Sequence, residues 1–538
     1  MDIQIADVAA LQAAVTAAKP GDRLVLAAGT YAFPTGNRAF TASAKGTKEQ
    51  PIVVVSATPL AAKLDLGTLE GIVVSGSHWH FEGLDIRGTC ASDPACEHAF
   101  HVVGGGSDFV LRGNRIVDFN AQLKVNADGP SAIPHRGLVE NNELYDTRGR
   151  KTDSPVTKLN IDTGDDWIVR ENVIRDFFKD GGNGISYGVF LKSGGRRGIL
   201  ERNLVLCERD VKGGTRIGMS FGGGGTGAQF CAPAFDANTP CAVEHEDGVM
   251  RNNIIASCSD VGIYLNKAKN TKLLHNTLLE TVGIDFRFAP LSGLAQGNLL
   301  TGRIKDRDGG VHTDTGNLVL TDPEAAALYQ DGSKGDLRKK GDLTALLGKA
   351  PASPDVTDDY CERARGGGPY DVGALQHSLG DCVTTVPGGT GTGGSGGATG
   401  SGGTGGNPAT AGSGGTATAG GSGGGSMGTA GGPSGAAGTV AGTAGKSGAS
   451  TAGNAGASAG GGPLATGGKS GSSAGPGGAG RAGSSNGGAS GAASTPAANA
   501  SSDDGCSCRI SADSPGRSRL PITALFLALA LALGRRRA

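Results

Sequence analysis

An asparagine followed two positions later by Ile, Leu or Val recurs at Asn114, Asn142, Asn172, Asn203, Asn253, Asn276 and Asn298. The last steps are 23 and 22 residues (276 − 253 and 298 − 276), and those between Asn114 and Asn203 run from 28 to 31. About 14 or 15 residues before several of these asparagines stands a second element: Gly188-Val-Phe-Leu, Gly262-Ile-Tyr-Leu, Gly283-Ile-Asp-Phe, and Lys158-Leu-Asn-Ile as a looser copy. Two or three short alternating strands per unit of this length cannot bury their inner faces alone. Stacked coil on coil they can, because each backbone then pairs with the coil above and below. Asn recurring at the bends predicts a side-chain ladder of the kind stacked strands make. The expected fold is all-β, a right-handed parallel β-helix. A leucine-rich repeat would need an LxxLxL frame with a helical limb, which is absent, and a β-sandwich would not repeat Asn at coil spacing.

The longer steps predict loops protruding from their coils, and such loops usually shape the binding face of a solenoid. Between Asn203 and Asn253 the spacing predicts an extra coil plus an insertion holding Gly222 to Gly225, Cys231 and Cys241. At the start, Asp7 predicts an N-cap for a short helix with Val8, Leu11 and Val15 at helical spacing. Pro20-Gly21-Asp22 ends that helix, Arg23-Leu24-Val25-Leu26 reads as a strand, and Gly29-Thr30-Tyr31 closes the unit. This arrangement resembles the N-terminal cap of pectate-lyase-like β-helices, where a helix covers the open end of the core. The body is expected to span 1–383 and to end near Tyr370-Asp-Val-Gly-Ala-Leu.

Nearly half of the 97 glycines follow residue 384. Segment 384–502, built from Gly, Ala, Ser and Thr, has too little apolar surface to offset the entropy of ordering, so it is expected to be a disordered linker. As a flexible coil it would span on the order of 60 Å. Segment 503–538 carries Cys506 and Cys508, a mostly apolar run over 520–533 expected to form a short helix, and Arg535-Arg536-Arg537. This tail resembles the myxobacterial C-terminal sorting tag, which implies export and anchoring at the cell surface or outer membrane. The apolar run is short for a span of roughly 20 residues, and the terminal arginines fit a positive-inside stop. No secretory leader stands before Asp7, which conflicts with export; the expectation is a true start upstream of Met1. Ten cysteines fall into near pairs, Cys90 with Cys96, Cys231 with Cys241, Cys361 with Cys382 and Cys506 with Cys508, with Cys207 and Cys258 as a longer candidate. With no CxxC knuckle, disulfides are the expectation over zinc; the spacing leaves the pairings open.

A net charge of −1 gives no general field toward nucleic acid or anionic lipid, so a charged ligand must be recognised locally. Thr215-Arg-Ile-Gly-Met-Ser, Asn253-Ile-Ile, Asp260-Val-Gly-Ile-Tyr-Leu-Asn-Lys, His275-Asn-Thr-Leu and Ile284-Asp-Phe-Arg together resemble polysaccharide lyase family 6, the chondroitinase B and alginate lyase group. The direct likeness runs from Thr215 to Arg287. It implies β-elimination on an anionic, uronate-containing polysaccharide, with Lys267 as base and Arg287 as acid or charge stabiliser, placed on adjacent coils. That chemistry needs the uronate carboxylate neutralised and a base whose pKa lies near the working pH. The family neutralises the carboxylate with calcium held by two acidic residues before the Lys. Here those positions are Asp260 and Gly262, so one expected ligand is missing. The family's His-Gly after the Arg is replaced by Phe288-Ala289.

Further candidate binding residues are Lys192, which repeats the Lys-Ser strand end on an earlier coil, Arg216, His245 of His245-Glu-Asp, and Asn266. Asn160-Ile-Asp162, Asp165-Asp166 and Arg303-Ile-Lys305 resemble fragments of the polygalacturonase set, in which carboxylates on successive coils serve inverting hydrolysis. The sequence therefore carries three readings of a monomeric, surface-displayed body: a lyase, a non-catalytic glycan-binding or adhesion module, and a glycoside hydrolase.

Overall fold

A computed structural model describes residues 1–223, 227–290 and 292–384. The linker beyond its first residue, the tail with Cys506, Cys508 and the apolar run, and part of the Gly222–Gly225 bend lie outside the described residues. Among the described residues no helix is long and apolar enough to cross a membrane.

Apolar residues alternate along short strands, so each strand offers one face to a shared interior and one to the outside. The chain satisfies this by winding into a right-handed parallel β-helix. A 12-stranded parallel sheet forms one wall, and a 19-stranded sheet forms the others. Two long strands, Gly29–Ala42 and Ala62–Val74, run around the corner of the larger sheet. Beyond them it divides into two ladders, one continuing from Asp85–Gly88 and one from His98–Val103. The second ladder continues through Ala121–Asn126, Val156–Asp162, Ile185–Lys192, Thr215–Phe221, Ile263–Asn266, Gly283–Arg287 and Arg303–Arg307. This ladder is called the site face below.

The interior is aromatic toward the N-terminal end, where Trp79, Phe81, Phe100 and Phe109 are fully buried, Trp79 stacked on Phe81, Phe81 edge-on to Phe100 and Phe100 tilted against Phe109. The helix Val8–Ala17 closes that end. Asp7 caps it by accepting from the Ala10 N–H at 2.8 Å, and Leu11 and Val15 are buried in the core.

The asparagines line up along one edge as expected. Asn142 Oδ1 accepts from both the backbone N–H and the Nδ2 of Asn114, at 2.9 and 3.0 Å. The same double bond repeats through Asn172, Asn203, Asn253, Asn276, Asn298 and Asn317. The residue before each rung is left-handed: Gly113, Asn141, Glu171, Arg202, Asn252, His275, Gly297 and Gly316 have φ between 51° and 68°. For the side-chain-bearing members that conformation costs roughly 1–2 kcal/mol each, which the buried hydrogen bonds of the following Asn offset.

One expectation is corrected. Asn203 bonds directly to Asn253, so the 50 residues between them make one coil with a long insertion and no extra coil. The winding itself stops at Leu318–Leu320, and Tyr370, Val372, Ala374 and Leu375 pack in the segment that follows it. After Leu318–Leu320 a helix, Asp322–Leu328, and a small hairpin lead into a segment that turns back along the flank. There Leu343, Leu346, Val356, Tyr370 and Val372 pack outside the barrel against Leu204, Ile254 and Leu299, a second core separate from the interior. Among the described residues four disulfides form, Cys90–Cys96, Cys207–Cys258, Cys231–Cys241 and Cys361–Cys382.

Candidate active face

On the site face, Leu123, Val125, Leu159, Ile161, Val189 and Leu191 point inward, so the residues between them point out. Register then stacks two outward rows. One runs His101, Lys124, Asn160, Phe190, Ser220, Tyr264, Asp285 and Lys305. The neighbouring row includes Asp162 beside Lys192, and Asn266 beside Arg287 and Arg307. Rows of this kind present charge at about 4.8 Å intervals along the axis.

Lys267 and Arg287 do stand on adjacent coils, the Lys267 N–H donating to the Arg287 carbonyl at 3.0 Å. The register partner of Arg287, however, is Asn266, which leaves Lys267 one position out of line. Arg287 lies on the strand, whereas Lys267 occupies the bend after it with φ 49°, and Phe288 occupies the same bend on the next coil at 64°. Their side chains accordingly have different partners. Arg287 donates to Asp308 at 2.6 Å and to the Tyr264 hydroxyl at 3.1 Å, and its guanidinium lies over Phe288. Burial alone would lower its pKa, but Asp308 and Tyr264 hold it above the usual value. Lys267 Nζ donates to the Cys241 carbonyl of the insertion at 3.3 Å. Asn266 Nδ2 approaches the Tyr264 hydroxyl at 3.4 Å, so Tyr264 is the point where Arg287 and Asn266 meet.

The calcium expectation fares differently. The Asp260 carboxylate accepts from the Val261 N–H at 2.8 Å in the bend that precedes the strand Ile263–Asn266. A β-carbon at Gly262 would come within 2.8 Å of Leu278, so position 262 faces packed side chains and has no room for an acidic ligand. These residues do not fit a protein-held calcium ion.

Three other candidates are corrected by burial. Arg216 is fully buried and is spent on the carbonyls of Gly213 (2.7 Å), Val211 (2.7 Å) and Cys207, which ties the strand Thr215–Phe221 to the preceding turn. His245 is 1% exposed and stacks on Phe221 with centroids 4.2 Å apart, so it is a core ring; burial brings its pKa down to about 3. Lys192 does lie on the site face, two coils before Asn266, but is 4% exposed and paired with Asp162 at 3.4 Å. Asp162 also holds Lys124 and accepts from Ser193 Oγ at 2.9 Å. Burial would raise its carboxyl, yet Lys124 and Lys192 bring it down to about 2. Asp165 is engaged with Arg196 and Arg197, so the two carboxylates of the hydrolase reading are each already paired.

Sequence reasoning passed over the N-terminal part of this face. Glu70, Glu97, His98, His101 and Asn126 gather beside Lys124 on the first coils. The signal available was His98-x-x-His101 at the head of a strand, in coils whose register the longer repeat left undefined.

A right-handed parallel β-helix with a polar outer face is thus the class of protein defined here. No family model matches the chain, and no curated protein matches it. Solved structures of similar winding include pectate lyase Pel9A (16% identity, TM-score 0.47, covering 68% of this chain and 90% of that one). An alginate lyase from Paenibacillus sp. follows at 19% identity and TM-score 0.33, covering 58% and 97%. A PL6 family polysaccharide lyase from Pseudopedobacter saltans stands at 13% and 0.32, covering 63% and 96%.

Proposed function

We propose that the body is a carbohydrate-active β-helix, exported and held at the cell surface by its tail, that cleaves an anionic uronate polysaccharide by β-elimination. The resemblance of residues 215–287 to polysaccharide lyase family 6 suggests the reaction. The observation that carries the reading is the gathering of Arg287, Tyr264 and Asn266 on the site face, with Lys267 at its border. Arg287 neutralises the uronate carboxylate, so the charge that develops as the C5 proton leaves has a counter-ion. Lys267 takes that proton. The freed electron pair forms the C4–C5 double bond while the C4–O bond breaks; the leaving oxygen takes up a proton from water, and Lys267 returns the C5 proton to solvent, so no net proton is gained or lost. No metal is assigned to these steps.

A second reading is favoured by the ties already made: Arg287 is held by Asp308, and Lys267 by Cys241. A face whose cations are fixed in this way suits holding a glycan without cutting it. Incubation with alginate, chondroitin and pectin, with and without calcium, separates the two. The lyase reading requires the ultraviolet absorbance of an unsaturated uronate to grow with at least one of them. No rise with any uronate, accompanied by retention of the polymer on the immobilised protein, leaves the binding module. A rise that survives Lys267→Ala removes Lys267 as the base.

A further inference from the structure

Glu70 and His98 are register partners on adjacent coils, and His101 lies three residues further along the same strand. One ligand atom from each falls within 4.8 Å of the others. The Nδ1 of His98 is buried and has no hydrogen-bond partner, in a side chain that is 8% exposed. An orphaned ring nitrogen in such a position calls for an explanation, and a missing ion is one. The partners of His101 sharpen the case. Its Nδ1 meets Glu70 Oε1 at 2.8 Å and its Nε2 meets Asn126 Oδ1 at 2.7 Å. The Asn126 amide is oriented by Nδ2 donating to the Ala127 carbonyl at 3.1 Å, so its oxygen faces the ring and accepts the Nε2–H. That leaves His101 Nδ1 turned toward Glu70, with the outer N–H anchored on a carbonyl oxygen. A metal-binding histidine characteristically has this outer arrangement.

We propose that Glu70, His98 and His101 form a binding site for a zinc-like divalent transition metal, with Asn126 as the outer partner that fixes the His101 tautomer. Two imidazoles and one carboxylate are the donors such an ion prefers, and calcium would favour an all-oxygen set. Three protein ligands leave a fourth position for water or for a carboxylate of a bound polymer. Ligands of a tetrahedral zinc lie roughly 3.4 Å apart, so Glu70 and His101 need only separate slightly, the ion taking the place of the proton between them. The strand start is rigid: the Cys90–Cys96 bridge immediately precedes Glu97, and within it Asp93 binds Arg148 and Arg150. Five coil steps of about 4.8 Å, roughly 24 Å, separate the His101 position from that of Tyr264. The proposal is therefore independent of the Lys267–Arg287 reading.

Zinc binding to the full chain, measured by competition with a chromophoric chelator after metal stripping, tests it. One equivalent should bind, with affinity reduced at least tenfold in Glu70→Gln and in His101→Ala. Both side chains are partly exposed, at 23% and 17%, and matching circular dichroism and melting curves will show that the variants fold. Asn126→Ala should weaken binding between about tenfold and a hundredfold. The group of Asp306, His312 and Asp314 on later coils serves as the control, and His312→Ala should bind zinc as the parent does. A hundredfold excess of calcium should leave the zinc in place. The proposal is overturned by the lack of a stoichiometric zinc, by unchanged affinity in Glu70→Gln and His101→Ala, or by loss of the ion in His312→Ala.

Discussion

Replacing Asn253 by Ala removes one rung from the middle of the ladder. Asn253 is fully buried and makes bonds on both sides. Its Oδ1 accepts from the Asn203 N–H and Nδ2, each at 3.0 Å, and its Nδ2 donates to the Leu200 carbonyl at 2.8 Å and to Asn276 Oδ1 at 2.9 Å. In the variant the Asn203 N–H loses its acceptor in a dry site, which costs roughly 1–3 kcal/mol. The Asn203 Nδ2 keeps the Val169 and Glu201 carbonyls, and Asn276 Oδ1 keeps the Asn253 N–H, so those losses are smaller, about 0.5–1.5 kcal/mol each. The expected total is about 4 kcal/mol. Asn317 offers the same two bonds to Asn298 at the last rung, but it is half-buried and water can replace it, so Asn317→Ala should cost about 1 kcal/mol or less. Urea unfolding of the full chain, followed by far-ultraviolet circular dichroism, gives both numbers from midpoint shifts. Equal costs at the two positions, or a cost below about 1 kcal/mol for Asn253→Ala, would refute the view that dry side-chain rungs hold the coils in register.

If the chain is a lyase, Arg287→Ala and Lys267→Ala should each lower uronate cleavage by at least about a hundredfold, with Tyr264→Phe between them and the parent. The buried His245 is neutral in the fold, with its pKa at about 3, and protonates near 6.5 once unfolded. The contribution of His245 to stability is therefore complete above about pH 6.5 and falls as the pH drops toward 3, with a limiting slope of roughly 1.4 kcal/mol per unit; His275, His80 and His377 are lowered in the same way and add to it, so His245→Phe should reduce the slope in urea melts by about that one-proton share. Replacing Cys207 and Cys258 by Ser opens a loop of 51 residues and should cost about 4 kcal/mol in the same melts.

The winding of this chain was legible because its signal is local and repeated. Each ladder Asn sits after a left-handed residue and before an alternating strand, and that short pattern needs no distant partner to be recognised. The site was only partly legible. Counting along the chain from Lys267 to Arg287 places them on neighbouring coils, but the coil there is longer by a single position, so that Asn266 takes the place opposite Arg287. A slip of one residue decides on which side of a strand a side chain stands. Arg216 and His245 read as binding groups because their residue types suit a ligand; their burial depends on turns and rings elsewhere in the chain.

What the sequence determined by itself is the repeat, the helical cap and the parallel all-β class, since strand alternation, capping and bend residues act within a few positions of one another. Only the tertiary structure decided that the stretch from Asn203 to Asn253 is one coil, that the C-terminal segment lies along the flank, and that Glu70 meets His98 and His101. Each of those depends on how many residues a coil holds, and that number is set by the packing of one coil on the next.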